Sequence, residues 1–233
     1  MSTAQRLLTP PAPGSRAVVY PESDGEPMAE NTQQYTWIER LKGGIEAACP
    51  DAFVAGDLLW YYLEGDPKSR VAPDVLVAFG RAPGDRGAYL QWLEDGVCPQ
   101  VVVEVWSPGN TFAEQLNKLR LYERLGVQEF VTYDCERNAF AAFERSPAGT
   151  LEVAAASEPW TSPRTSCRFV PGEDTLRVYG PDGQIFRTVA EAKAYERELE
   201  AKAAESEAKA AESAAKADRL AEKLRAAGID PEG

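Results

Sequence analysis

Between Phe53 and Tyr133 the chain carries four apolar runs, at residues 53–62, 75–79, 101–106 and 130–133. Each is bounded by Gly, Pro or Asp, the punctuation that ends strands. Two stretches of helical period frame them. Residues 30–48 place Trp37, Ile38, Leu41 and Ile45 at helical spacing, and residues 111–125 form the second helix. Thr111-Phe112-Ala113-Glu114 reads as a capping box, and Gly126 as the glycine that closes that helix. The order helix, strands, helix, strand, hairpin predicts an α/β fold with a mixed sheet flanked by helices rather than regular βαβ repetition.

Composition changes after Phe186. Residues 195–229 divide into sevens rich in Ala, Glu and Lys, which predicts one long C-terminal helix. Its seam would hold Ala203, Ala210, Ala217 and Leu224 beside Leu199, Ser206, Ser213 and Leu220. Such a seam is thin, and two outcomes stay open: a solvated single helix laced with charge pairs, or a narrow alanine-packed dimer coil. The expected organisation is a loose tail at 1–16, a globular domain at 17–187 and the helix at 188–229. A domain of that size buries roughly 70% of its unfolded surface and needs no metal or disulfide to fold.

The chain of 233 residues has no histidine, which removes Ser-His and Cys-His catalysis and His-ligated zinc. Its net charge of −12 does not steer it onto nucleic acid or anionic membrane. Carboxylates gathered around cations also make a chain acidic, so a nuclease is not excluded. Cys49, Cys98, Cys135 and Cys167 form no CxxC pair and read as reduced, mostly buried thiols. The absence of a signal-like N-terminus and of a membrane-length apolar run predicts a cytoplasmic protein with no membrane partner.

Three residues stand out chemically. Glu104 interrupts the apolar run Val101–Trp106, where a carboxylate must take up a proton, pair with a cation or bind a metal. Asp74 follows Pro73 and opens another apolar run; alone, Pro-Asp is a common turn. Lys118 lies on the apolar sector of the second helix, with Phe112, Leu116, Leu119 and Tyr122, where it needs a buried anion or must snorkel to the edge. Together, two acids and a lysine form a set able to hydrolyse a phosphodiester with metal. Asp74, Glu104 and a strand carbonyl such as that of Val105 would hold Mg²⁺ or Mn²⁺ through oxygen. Lys118 would place the attacking water and offset developing charge.

This set resembles the PD-(D/E)xK nuclease superfamily, with Pro73-Asp74 as the PD element and Glu104 as the second acid. Two residues after Glu104, where the basic pattern has lysine, stands Trp106. That departure is similar to the bacterial Uma-two branch of restriction-endonuclease-like proteins, whose lysine sits on the following helix in a K-x-x-x-Y segment. Here that segment is Lys118 to Tyr122, followed by Gly126-Val127-Gln128-Glu129-Phe130 and Asp134. Residues 104–108 (EVWSP) resemble the branch's E-x-x-S-P turn, and residues 24–30 (DGEPMAE) its opening, which nominates Glu30 as a helix-borne acid of the site. The resemblance covers about residues 18–187. It implies an αβββαβ core, a metal-dependent endonuclease and a nucleic-acid substrate, DNA above RNA. A catalytically idle binding module that recruits a partner through the C-terminal helix is the alternative, and the helix could equally make a homodimer. Weaker candidates are Asp57, Gln115, Glu129, Asp134 and the base-stacking option for Trp60, Tyr61 and Tyr62.

Overall fold

The structure is a computed structural model that describes residues 18–23, 25 and 29–227. The expected tail at 1–16, Asp24, Glu26, Pro27 and Met28 of the N-terminal motif, and the closing Gly228 and Pro231 lie outside the described residues. The elements are α1 (Thr32–Ala48), β1 (Phe53–Ala55), β2 (Trp60–Tyr61), β3 (Arg70–Val71), β4 (Val75–Ala78), β5 (Tyr89–Leu90), β6 (Val101–Trp106) and α2 (Phe112–Leu125). They continue through β7 (Glu129–Asp134), β8 (Ala139–Arg145), β9 (Leu151–Ala156), β10 (Trp160–Thr161), β11 (Arg168–Pro171), β12 (Leu176–Tyr179) and α3 (Val189–Ala226). The chain divides into two compact units, Met1–Phe186 and Arg187–Gly233.

The first unit is built on a six-stranded sheet in the order β1-β4-β6-β7-β8-β9. β6 and β7 run parallel and the other neighbours antiparallel, so the sheet is mixed as expected. Parallel neighbours need a crossover, and α2 supplies it. β6 lies between β4 and β7 with both faces covered, which is why its sequence is apolar throughout rather than alternating. Val101, Val103 and Val105 pack in one cluster with Ile38, Leu41 and Ile45 of α1. Val102 and Trp106 face the other way, into a cluster with Tyr122 of α2 and Phe130. Glu104 shares the parity of Val102 and Trp106, so the strand aims it at α2.

The helices start and stop where their chemistry dictates. Thr111 caps α2 through a reciprocal capping box with Glu114, and Gly126 ends it at φ 97, a left-handed conformation that costs glycine little. Asn31 caps α1 by accepting from the Gln34 N–H. α1 buries Gln34, Trp37, Ile38, Leu41 and Ile45 along one stripe. The β10-β11-β12 sheet closes over the same cluster with Trp160, Phe169, Leu176 and Val178.

Two expectations are corrected. The run at 53–62 is not one strand: β1 belongs to the main sheet and β2 to a small β3-β2-β5 sheet. Asp57, one of the weaker candidates, stands in the break with φ 48, a conformation that Asp tolerates better than most residues. Phe112, placed with the packed sector of α2, is 79% exposed because the first turn of the helix projects past the core.

In the second unit, α3 is a single helix of 38 residues. Thr188 and Glu191 exchange side-chain-to-backbone bonds at its start, a second capping box. Glu198–Lys202, Glu205–Lys209 and Glu212–Lys216 pair at i,i+4 along it. Among the described residues no helix is long and apolar enough to cross a membrane.

Candidate active site

Asp74 and Glu104 meet because β4 runs antiparallel to β6 in a register that pairs Val75 with Val103. Asp74, one residue before β4, therefore reaches the C-terminal end of β6, and its Oδ2 accepts the Val105 N–H at 2.6 Å. Its other oxygen accepts no hydrogen bond from the described residues. Burial, and then the charge of Glu104, push the Asp74 carboxyl well above the usual carboxylate range.

Glu104 is only 1% exposed and is held from α2 at both oxygens. Lys118 Nζ donates to Oε2 at 2.7 Å, and the Tyr122 hydroxyl donates to Oε1 at 2.5 Å. One helical turn separates Lys118 from Tyr122, which is why a K-x-x-x-Y spacing grips a single carboxylate. Burial alone would lower the Lys118 ammonium. The Glu104 charge and hydrogen bond, with Asp74 and Asp57 behind them, outweigh it and hold the group above its ordinary value. Lys118 is thus a cation at neutral pH, and its ammonium also lies 5.5 Å from the centre of the Trp106 ring. Burial and Glu104 raise the Tyr122 hydroxyl well above its ordinary value, so it remains a donor.

Glu30 stands at the N-terminal end of α1, where it accepts a hydrogen bond from the Ser107 hydroxyl just beyond β6. Ser107 is fixed in turn by Asn110, whose side-chain oxygen accepts the Ser107 N–H at 2.9 Å. Among the described residues no three Asp, Glu or Cys side chains gather closely enough to hold one ion together. The structure brings Asp74, Glu104 and Lys118 together, while Glu30 borders them through Ser107. The Val105 carbonyl, the proposed backbone ligand, accepts from Gln34 Nε2 at 2.8 Å.

Gln34 is the residue that sequence reasoning missed. Its signal was available: it is a polar side chain on the stripe otherwise made of Trp37, Ile38, Leu41 and Ile45. Of the weaker candidates, Asp57 acts electrostatically on both Asp74 and Lys118. Gln115 is partly buried one turn before Lys118. Glu129 and Asp134 close the two ends of β7, Glu129 bonded to Ser162 and Arg164 N, Asp134 to Arg137. Trp60 and Tyr61 are core residues, with Trp60 stacked on the Tyr122 ring, and cannot meet a base. Burial pushes the Cys98 thiol up to about 12 and Cys167 to about 11, leaving neither as a nucleophile.

The oxygen set fits a hard divalent cation. Two carboxylates stand side by side, one of them destabilised as an anion, and the lysine bonds to only one of them, Glu104. A second positive charge would relieve what Lys118 leaves unbalanced.

The profile of the Uma2 family, described as "Putative restriction endonuclease", matches residues 27–172. Among solved structures, the chain is similar to the crystal structure of "a putative nuclease belonging to DUF820" from Anabaena variabilis ATCC 29413, at 14% identity and a TM-score of 0.45. That match covers 62% of this chain and 82% of the other. No curated protein matches.

Proposed function

The chain belongs to the Uma2 family, and on that premise we propose that it is a divalent-cation-dependent endonuclease that hydrolyses phosphodiester bonds in DNA. The observation that carries this reading is the Asp74–Glu104–Lys118 cluster: two adjacent carboxylates on neighbouring strands, with a charged lysine on one of them. Asp74, Glu104 and the Val105 carbonyl would hold Mg²⁺ or Mn²⁺, and a cation held there would supply Lewis-acid chemistry toward the scissile phosphate and water.

The chain's own residues do the rest. Tyr122 keeps Glu104 in one orientation. Lys118, held protonated, orients the attacking water and offsets the negative charge growing on the phosphoryl oxygens; it does not act as a general base. Glu30 is an accessory acid that steadies the turn after β6 through Ser107. In this reading the enzyme acts in the cytoplasm, residues 17–187 carry the chemistry, and residues 188–229 form an appended helix that can pair with a second copy.

The test is nicking of supercoiled plasmid in Mg²⁺ or Mn²⁺ and in chelator, for wild type and Glu104→Gln. Cation-dependent nicking that Glu104→Gln abolishes is expected. Cation binding with no cleavage of DNA or RNA would leave an idle binding module instead.

A further inference from the structure

The pairing of β4 with β6 stops one step short of the candidate site, and a proline is the reason. Val75 pairs with Val103 and Val77 with Val101, so the same register places Pro73 opposite Val105. Pro73 has no N–H to give the Val105 carbonyl. Its own carbonyl accepts from Asp57 N at 3.1 Å instead of closing the ladder. Both main-chain groups of Val105 are consequently served by side chains: the N–H by Asp74, the carbonyl by Gln34. Pro73 thus frees a backbone oxygen from the sheet at the point where the two carboxylates converge.

Gln34 has no packing reason to be an amide. It is 7% exposed on an apolar helix face, where a methionine would fill the same space without needing hydrogen bonds. Both ends of its amide are used. Nε2 donates to the Val105 carbonyl, and Oε1 accepts the Glu30 N–H at 2.8 Å. The carboxylate of that same Glu30 accepts from Ser107, two residues beyond Val105. One rigid amide therefore ties the start of α1 to the end of β6.

We infer that Gln34 is a positioning residue of the metal site: it holds the carbonyl that Pro73 releases, using one lone pair and leaving the other for the cation, and sets the place of Glu30 beside it. The inference rests on the nuclease reading above. Partners behind the direct ligands commonly contribute 10–100-fold to metal affinity, roughly what is expected here.

The experiment titrates metal-free full-length chain with Mn²⁺, reading free Mn²⁺ by electron paramagnetic resonance, for wild type, Gln34→Met and Gln34→Asn. Both variants should bind one equivalent with affinity about tenfold weaker. A merely structural role would lower the fraction of competent protein and leave the affinity of that fraction unchanged, which overturns the inference; so does tighter binding. Where neither variant melts cooperatively, ¹⁵N-labelled wild type titrated with Mg²⁺ decides. The Gln34 side-chain amide resonances should move in step with site saturation, and a stationary pair overturns the inference. Wild type that binds no cation would overturn the nuclease reading, and the Gln34 role with it. Wild type that binds while Gln34→Met binds equally well overturns the Gln34 role alone.

Discussion

Asp74→Asn separates a metal site from a structural ion pair by the sign of its effect. Asn keeps the volume and an oxygen for the Val105 N–H, now accepted by Asp74 at 2.6 Å. Exchanging a charged for a neutral acceptor costs about 1 kcal/mol. Against this, burial and Glu104 hold the Asp74 carboxyl well above its usual range. Every tenfold weakening of its acidity on folding costs about 1.4 kcal/mol of stability once the group is ionised. Relief of that penalty opposes the lost hydrogen bond, and at pH 8 the cation-free variant should be at least as stable as wild type. Because the folded pKa is raised, the wild-type contribution is fully present below the unfolded value near ~3.9 and is lost as pH rises through the folded one. The advantage of Asp74→Asn should grow over that interval and then level. A cation at 100 times its Kd adds about 2.7 kcal/mol to wild type, or about 5–10 °C in Tm for a chain of this size; the variant should lose most of that gain. Thermal melts of both proteins, with and without Mn²⁺ and at matched ionic strength, supply every comparison. A variant destabilised by about 3–5 kcal/mol beside a metal-insensitive wild type is the signature of a structural pair, and it refutes the reasoning.

Lys118→Met keeps the apolar stem and should fold, while plasmid nicking at saturating Mn²⁺ falls by roughly 10²–10³; cleavage at the wild-type rate removes Lys118 from the mechanism. Tyr122→Phe withdraws a buried donor from Glu104 and should cost about 1.5–3 kcal/mol in denaturant melts, the range for hydrogen bonds to charged groups. A loss under 0.5 kcal/mol would show that the hydroxyl does not hold the carboxylate. Ending the chain at Arg187 should leave a cooperative melt and unchanged nicking per site, and sedimentation of the two lengths reads whether α3 pairs; loss of the melt would show that α3 supports the core.

The central part of this site was legible because polar residues stood where burial makes them expensive. Glu104 in an all-apolar strand and Lys118 on a packed helix face each demanded a partner, and each proved to be the other's. The capping box at Thr111 and the closing glycine at 126 are local signals, and both ends of α2 fall where they indicate. The break at Asp57 was not legible, since the 53–62 run stays apolar on both sides of a turn that depends on one positive φ. Gln34 was harder still. Its partner is a backbone carbonyl 71 residues away, so its meaning depends on strand register and on a proline in the neighbouring strand. The exposure of Phe112 reflects where the core ends along the helix axis, which helical spacing does not encode.

The central claim is that Asp74, Glu104 and the Val105 carbonyl hold one catalytic cation. A crystal grown in Mn²⁺ tests it most directly, because the anomalous signal locates the ion without reference to any assay. The account predicts a peak between the Asp74 and Glu104 carboxylates, at about 2.0–2.3 Å from an oxygen of each. Full occupancy elsewhere with that position empty, or a map with no peak at saturating Mn²⁺, would contradict it.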